Sequence, residues 1–320
     1  MKSRSLQSKL FFAYISLACL ILFSFAVFFY AFVSRQLKQS QISAMNTLNS
    51  SFQTQVDSAI RNLDAVSVNI NYSNQSKTIL DNSFNLNISS NMLSAMSDLF
   101  ISLSGTELKA DQVNLYDFSG YVLEAGISTI VKKTDGSKDE WIEVARELEG
   151  KKVLTPPYCT REYTKTATYD QWFISLYRSF NNQYKRGVGV IETAKQCKSV
   201  FKSIITYKKK NHEDAASIYV FDSNGDLIYP YDISQEYKAA LQPYYELTKG
   251  DDSALTFISP LTGKTEYAAE AVSSYTGYTY LTIQPESVVL APVYNLLRIL
   301  AAIVALFLTI SKYRLFASSA

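Results

Sequence analysis

The chain has 320 residues, with 31 Lys and Arg, 29 Asp and Glu and one histidine, for a net charge of +2. That balance excludes the strongly basic footprint of a nucleic-acid partner. One histidine with no cysteine beside it argues against a zinc site or a Cys–His dyad, so no metal or cofactor is expected.

In chain order, residues 1–9 carry Lys2, Arg4 and Lys9, and residues 10–33 carry no charge. An apolar run of that length can cross a bilayer as a helix. A cleaved signal peptide is the competing reading, but the run is longer than a usual signal core and no A-x-A-like site follows it. The basic residues ahead of the span place the N-terminus in the cytoplasm, a bias that Arg35 and Lys38 weaken without reversing. All 29 acids then lie between positions 34 and 288. Six of the 31 basic residues (Lys2, Arg4, Lys9, Arg298, Lys312 and Arg314) fall outside that segment, leaving 25 against 29. The segment is therefore a mildly acidic exterior domain.

Residues 34–71 predict one long helix. Ile42, Met45, Asn49, Phe52, Val56, Ala59, Leu63, Val66 and Ile70 recur at alternating steps of three and four, without Gly or Pro, which is a heptad seam. At 1.5 Å per residue such a helix is about 57 Å long. It must project as a stalk or run along two stacked modules. The seam either pairs two copies of the chain, with Asn49 fixing register, or packs on its own chain. A homodimer through 42–70 is one expectation.

After a stretch rich in Asn and Ser, strand patterns begin. Val113–Glu124 alternates around Asp117-Phe118-Ser119-Gly120, and Ser217–Tyr229 does so around Asp222-Ser223-Asn224-Gly225. Gly supplies a left-handed turn position, and Asp bonds the backbone that follows it. A second pair of hairpins repeats the plan: Trp172–Phe180 returning through Gly187–Thr193, and Glu266–Val272 returning through Tyr278–Gln284. Between the modules, 194–211 is a Lys-rich helix with Val200, Phe201, Ile204 and Ile205 on one face. The expected fold class is α+β: two antiparallel-sheet modules, about 72–194 and 212–288, along a long N-terminal helix.

Residues 289–310 form a second apolar span interrupted by Arg298, which reaches the outer interface by snorkelling. An amphipathic juxtamembrane helix is the alternative. Lys312 and Arg314 place the 311–320 tail in the cytoplasm. The residues after Arg314 are too few to fold, so the output part of a receptor is expected to be missing from this chain, as in a truncated or frameshifted product.

This layout resembles double-Cache sensor domains, in which two PAS-like sheets follow an uncleaved anchor and a long helix and lead to a second transmembrane helix. More narrowly it resembles the input part of Gram-positive sensor histidine kinases of two-component systems. The residues carrying the likeness are Trp141 with Gly150-Lys151-Lys152-Val153, the strand Phe173–Arg178, Gly187–Glu192, and Tyr278–Glu286 running into the second span. The resemblance implies a small-molecule extracellular ligand in the first, membrane-distal module and a cell-membrane location with two spans. It implies a pocket at Trp141 and Tyr158, with Glu192 where the family often has an Asp that holds an amine. One departure bears on ligand class. Amino-acid-binding members carry an Arg four residues before the Trp as a bidentate carboxylate clamp; here that position is Ser137, with Lys138 beside it. Arg178 is a substitute cation, or edges the core on the face of Trp172, Ile174 and Leu176.

The 23 tyrosines, among them Tyr158, Tyr163, Tyr169, Tyr177 and Tyr184, supply rigid amphipathic area that suits a pocket or fills two small cores. Trp141 and Trp172 concentrate the pocket expectation in the first module. His212 sits in a charged linker, and no Gly-x-Ser-x-Gly elbow or phosphate-cradling loop is present, so no enzyme activity is expected. Cys159 and Cys197 are both exterior and either pair or stay free; Cys19 lies in the first span. A chemoreceptor ectodomain, a membrane-bound transcription regulator and a stand-alone surface-binding protein are the alternatives to the kinase input.

Overall fold

The structure, a computed structural model, describes residues 6–81, 90–105, 108–125, 130–160, 170–181, 187–211, 216–249 and 254–317. His212, Tyr163, Tyr169 and Tyr184 lie outside them. The elements in order are α1 (Leu6–Tyr72), α2 (Asn74–Asp81), α3 (Ser90–Ser104), β1 (Gln112–Asp117), β2 (Tyr121–Ala125), β3 (Ile130–Lys133), α4 (Asp139–Glu147), β4 (Val153–Leu154), β5 (Tyr158–Cys159), β6 (Trp172–Asn181), β7 (Gly187–Gln196), α5 (Cys197–Val200), α6 (Lys202–Asn211), β8 (Ser217–Phe221), β9 (Leu227–Tyr229), α7 (Gln235–Leu247), β10 (Ala254–Ile258), β11 (Thr265–Val272), β12 (Thr279–Pro285), α8 (Glu286–Val289) and α9 (Ala291–Ala317). The first span and the long helix are one continuous α1, because nothing between 33 and 72 breaks it: no Gly, no Pro. The chain divides into two compact units, Leu48–Asp251 with Glu270–Thr282, and Met1–Thr47 with Asp252–Ala269 and Ile283–Ala320.

The larger unit contains a seven-stranded antiparallel sheet in the order β3-β2-β1-β7-β6-β4, with β5 also on β6. Alternation assigns its two faces. Val113, Leu115, Ile174, Leu176 and Ile191 face the core with α1, where Phe52, Val56, Ile60, Leu63, Val66 and Ile70 are all buried. Each such side chain contributes roughly 1.5–3 kcal/mol on burial. The heptad seam is thus spent on its own chain. Asn49, which could have set register between copies, is fully buried and accepts a hydrogen bond from the Thr282 hydroxyl. Of the two readings of the seam, packing on its own chain is the one this face shows, and the outward positions Ser50, Ser51, Thr54 and Ser58 are exposed and polar. α3 adds Met96, Leu99 and Phe100 to the same core.

The two expected turns form alike. Asp117 Oδ1 accepts the Ser119 and Tyr121 amides at 3.0 and 2.7 Å; Asp222 Oδ1 accepts those of Asn224 and Asp226 at 2.9 and 2.8 Å. Gly120 and Gly225 have φ of +88° and +92°. They differ in surroundings: a Cβ on Gly120 meets nothing within 4 Å, whereas one on Gly225 would lie 2.4 Å from Tyr245 Cε1. Gly120→Ala is expected to cost about 1 kcal/mol for the left-handed backbone. Gly225→Ala is expected to cost about 2–3 kcal/mol, since Tyr245 must also move. Equal melting-temperature losses in the two variants would contradict the structure. Of the helix expected at 194–211, residues 197–200 and 202–211 are helical, as α5 and α6, while 194–196 finish β7; Val200, Phe201 and Ile204 are buried.

A second sheet has the order β10-β11-β12-β8-β9. In the smaller unit, Met45, Tyr267, Ala269, Val289 and Leu290 form a core cluster, and Tyr267 OH donates to Glu286 at 2.7 Å. This unit also holds two helices long and apolar enough to cross a membrane, α1 from Ala13 onward and α9 across Ala291–Ile310. Their outer surfaces are bare and apolar; Phe23 is 72% and Phe28 69% exposed. Arg298 is exposed on α9.

Candidate ligand-binding site

The face of the first sheet away from α1 carries polar side chains where a core would place apolar ones. Register pairs Asn114 with Glu192 and Tyr177 with Glu192, so β1, β7 and β6 present one polar row across their centre. α4 covers this row, burying Ile142 and Ala145 against Tyr116, Val122, Tyr177 and Val190. Where α4 begins, Asp135 Oδ1 accepts the Ser137 amide and hydroxyl at 3.0 and 2.6 Å. Gly136, at φ +75°, turns the chain there so that Lys138 points inward.

Glu192 is fully buried and surrounded by donors. Its Oε1 accepts from Lys138 Nζ at 2.8 Å, Ser175 Oγ at 2.6 Å and Tyr158 OH at 3.2 Å. Its Oε2 accepts from Asn114 Nδ2 at 2.8 Å, Tyr116 OH at 2.7 Å and Lys138 Nζ at 2.9 Å. Burial by itself would raise this carboxyl, but the Lys138 ammonium and the Ser175 and Asn114 donors outweigh it and hold the pKa down at about 2. Burial, followed by the Glu192 charge, pushes Tyr116 and Tyr177 well above the ordinary phenol range, so both hydroxyls keep their protons at neutral pH. An ionised, desolvated carboxylate persists here because it is paired and hydrogen-bonded at once.

Next to this network, and meeting it through Lys138, Tyr116 and Tyr158, lies a cavity of about 90 Å³ lined also by polar Gln112, Glu124, Lys132, Asp135, Asp139 and Thr160 and by apolar Val122, Ile142 and Phe173. Lys132 pairs with Glu124 at 2.9 Å and Lys138 with Glu192 at 2.8 Å. The charged groups left on the lining after these pairs are Asp135 and Asp139. Such a lining offers hydrogen bonds and charge. Among the described residues, no cluster of three His, Cys, Asp or Glu side chains could hold a metal.

Of the sequence-derived candidates, Tyr158 and Glu192 meet here. Trp141 lies beside them on α4, half-buried against the Tyr177 and Val190 cluster, outside the cavity wall. Arg178 and Trp172 lie elsewhere, Arg178 on the core face that was its second reading. Arg178 partners Ile191, one position from Glu192, so pleating sends it to the α1 face. There it bonds Asp64, Ser67 Oγ at 3.1 Å and the Gly150 carbonyl. Trp172, at the start of β6, packs tilted against Tyr231, ring centroids 5.8 Å apart, beside a groove flanked by Asp170 and Asp232. Asn114, Tyr116 and Ser175 were missed, although polar residues at every second position of a strand in Asn114-Leu115-Tyr116 are a legible sign of a polar sheet face. Cys159 and Cys197 are both free; Cys159 Sγ donates to Asp170 at 3.7 Å.

Solved structures share this fold. The ligand-binding domain of the Campylobacter jejuni chemoreceptor Tlp3, in complex with 4-methylisoleucine, superposes with a TM-score of 0.54 at 14% identity, covering 79% of this chain and 94% of that one. The periplasmic sensory domain of C. jejuni Tlp1 gives 0.55 at 14% identity, over 80% and 99%. A domain of a putative sensory box/GGDEF family protein from Vibrio parahaemolyticus gives 0.59 at 11% identity, over 79% and 99%. No protein-family model matches the chain, and no curated protein sequence matches it. The chain shares the fold of these solved domains.

Proposed function

We propose that this chain is the membrane-anchored sensing part of a transmembrane receptor, non-enzymatic, taking a small polar molecule in the cavity beside Glu192. The observation that supports it most is a polar cavity whose wall includes Lys138, Tyr116 and Tyr158, all three bonded to the buried Glu192 carboxylate. A structural core has no use for that arrangement, whereas a binding site needs such convergent polar groups in a preformed hollow. The sensory-domain fold points the same way.

In this reading residues 10–33 and 289–310 span the membrane and 34–288 lie outside it, with the first module (72–194) distal and the second (212–288) proximal. Both termini are cytoplasmic. The bare apolar surfaces of α1 and α9 suit hydrocarbon and not water. The output served is a two-component histidine kinase, with a chemoreceptor or membrane-bound transcription regulator fitting the same input; two of the three neighbouring folds named above are chemoreceptor domains. A pairing of two copies along 42–70 would use the outward face at Ser50 and Thr54, where engineered cysteines would cross-link while one at Val56 would not.

The test is thermal stability of the full chain in detergent, read by tryptophan fluorescence, against a panel of small metabolites, because a ligand binding the folded state raises its melting temperature by mass action. A stabilising ligand should lose most of its effect in Tyr158→Phe and keep it in Trp172→Ala. The reverse pattern would move the site to the Trp172 groove.

A further inference from the structure

The Lys138–Glu192 pair carries a consequence for what the site accepts, and the inference rests on the binding reading above. An ionised carboxylate offers about four lone-pair directions. Glu192 receives six contacts from five side chains, all within 3.2 Å. No acceptor capacity is left for a ligand. Four of the five donors are neutral groups projecting from the sheet strands. The fifth is a primary ammonium on a flexible four-carbon stem, rooted where α4 begins and 17% exposed. It also lies 5.4 Å from the Tyr158 ring, itself part of the cavity wall. Charge, hydrogen bonds and an aromatic face thus converge on one ammonium, which the chain itself supplies.

We propose that Lys138 is a tethered occupant of an ammonium slot and sets the specificity of the site: an external primary ammonium reaches Glu192 only by displacing the Lys138 side chain. The cavity is built for the exchange. Lys138 enters from the rim, next to the Asp135 and Asp139 carboxylates on its own turn. On leaving Glu192 it would have two nearby anions to settle against, while the incoming ammonium would restore the charge balance of the slot. The neutral donors stay in place throughout, so the slot keeps its shape. A tethered competitor acts at an effective concentration of about millimolar or higher, so weak amines would be excluded and an amine ligand would need further contacts with the lining.

The test uses n-butylammonium, which reproduces the stem and head of the lysine side chain, with n-butanol as the uncharged control. Melting temperatures of the full chain in detergent give apparent affinities for wild type, Lys138→Ala and Lys138→Ala/Glu192→Gln. n-Butylammonium should bind Lys138→Ala at least tenfold more tightly than wild type, n-butanol should not, and the added Glu192→Gln should cancel the gain. Equal affinity in wild type and Lys138→Ala, no saturable shift in Lys138→Ala, or a gain that survives Glu192→Gln would each overturn the proposal. Should Lys138→Ala fold only with amine present, folded yield against n-butylammonium concentration replaces the melting temperature, and a yield that n-butanol raises equally counts against it. A metabolite panel that finds no wild-type ligand would sink the sensor reading and leave this result standing; a failed rescue does the opposite.

Discussion

Glu192→Gln is expected to cost about 3–5 kcal/mol of folding stability, because it strips a buried ammonium of its partner. The carboxamide fills the same volume but turns one acceptor oxygen into a donor, and because Lys138 Nζ contacts both oxygens, that donor meets the ammonium head-on in either orientation. Lys138→Met is expected to cost a similar amount by leaving the carboxylate unpaired. The double variant should lose less than the sum of the two, since removing both charges removes the desolvation problem with them. The same pair sets a pH dependence. The folded-state pKa of Glu192, about 2, lies below its ordinary 4.5, so its contribution is fully present above pH 4.5 and is lost as pH falls through 4.5 toward 2. The span of the loss is about 3 kcal/mol. Melting curves at pH 7 and pH 3 should separate wild type from Glu192→Gln at neutral pH and bring them together in acid. A wild-type advantage that persists undiminished at pH 3 would contradict the paired, ionised state.

Asp64→Ala is expected to be the second large loss, at about 2–4 kcal/mol. One carboxylate of α1 bonds Arg178, accepts from Tyr275 OH at 2.6 Å and lies 3.8 Å from Lys152 Nζ. Arg61 and Lys152 cover the Tyr275 ring at 3.8 and 3.2 Å from its centroid. Removing Asp64 leaves three cations gathered at one place, with Arg178 12% exposed. Burial already pushes Lys152 down from its ordinary pKa, and the Arg61 and Arg178 charges add to that. Asp64→Ala/Arg178→Leu should therefore be more stable than Asp64→Ala alone. If Asp64→Ala melts like wild type, the cluster contributes nothing and the tie between β6, α1 and Tyr275 is incidental.

The parts of this structure that were readable from sequence are those with a strong local rule. The Asp117/Gly120 and Asp222/Gly225 turns could be read because a left-handed glycine and an Asp bonding the following backbone leave few alternatives. The seam of α1 was readable as a buried face, but not what it faces, since Val56 or Leu63 packs as well on a sheet as on a second helix. The cover helices α4 and α7 were not readable. Each buries only two side chains, Ile142 and Ala145 or Leu241 and Tyr244, too few for a 3.6 period to show. α3 was not read: Leu93, Met96, Phe100 and Leu103 have helical spacing, but they sit beside Asn- and Ser-rich sequence that reads as a linker.

The site divides in the same way. Glu192 and Tyr158 came from family likeness, while Lys138 stood out at Ser137-Lys138 only as a departure from it. That Lys138 ends at Glu192 depends on the Gly136 turn and the length of the connection, which no spacing rule encodes. Arg178 faces the opposite side because β6 and β7 pair Tyr177, not Arg178, with Glu192. A one-residue register step decides between clamp and strut.

Ligand is expected to bind in the cavity walled by Lys138 and Tyr158, beside Glu192. The most direct measurement is amide hydrogen exchange of the full chain in detergent, with and without a stabilising metabolite. Protection should rise at 134–142 and 158–160 and along β7 around Glu192, with β8 and β9 unchanged. Protection confined to 170–172 and 231–233, with 134–142 unaffected, would contradict it.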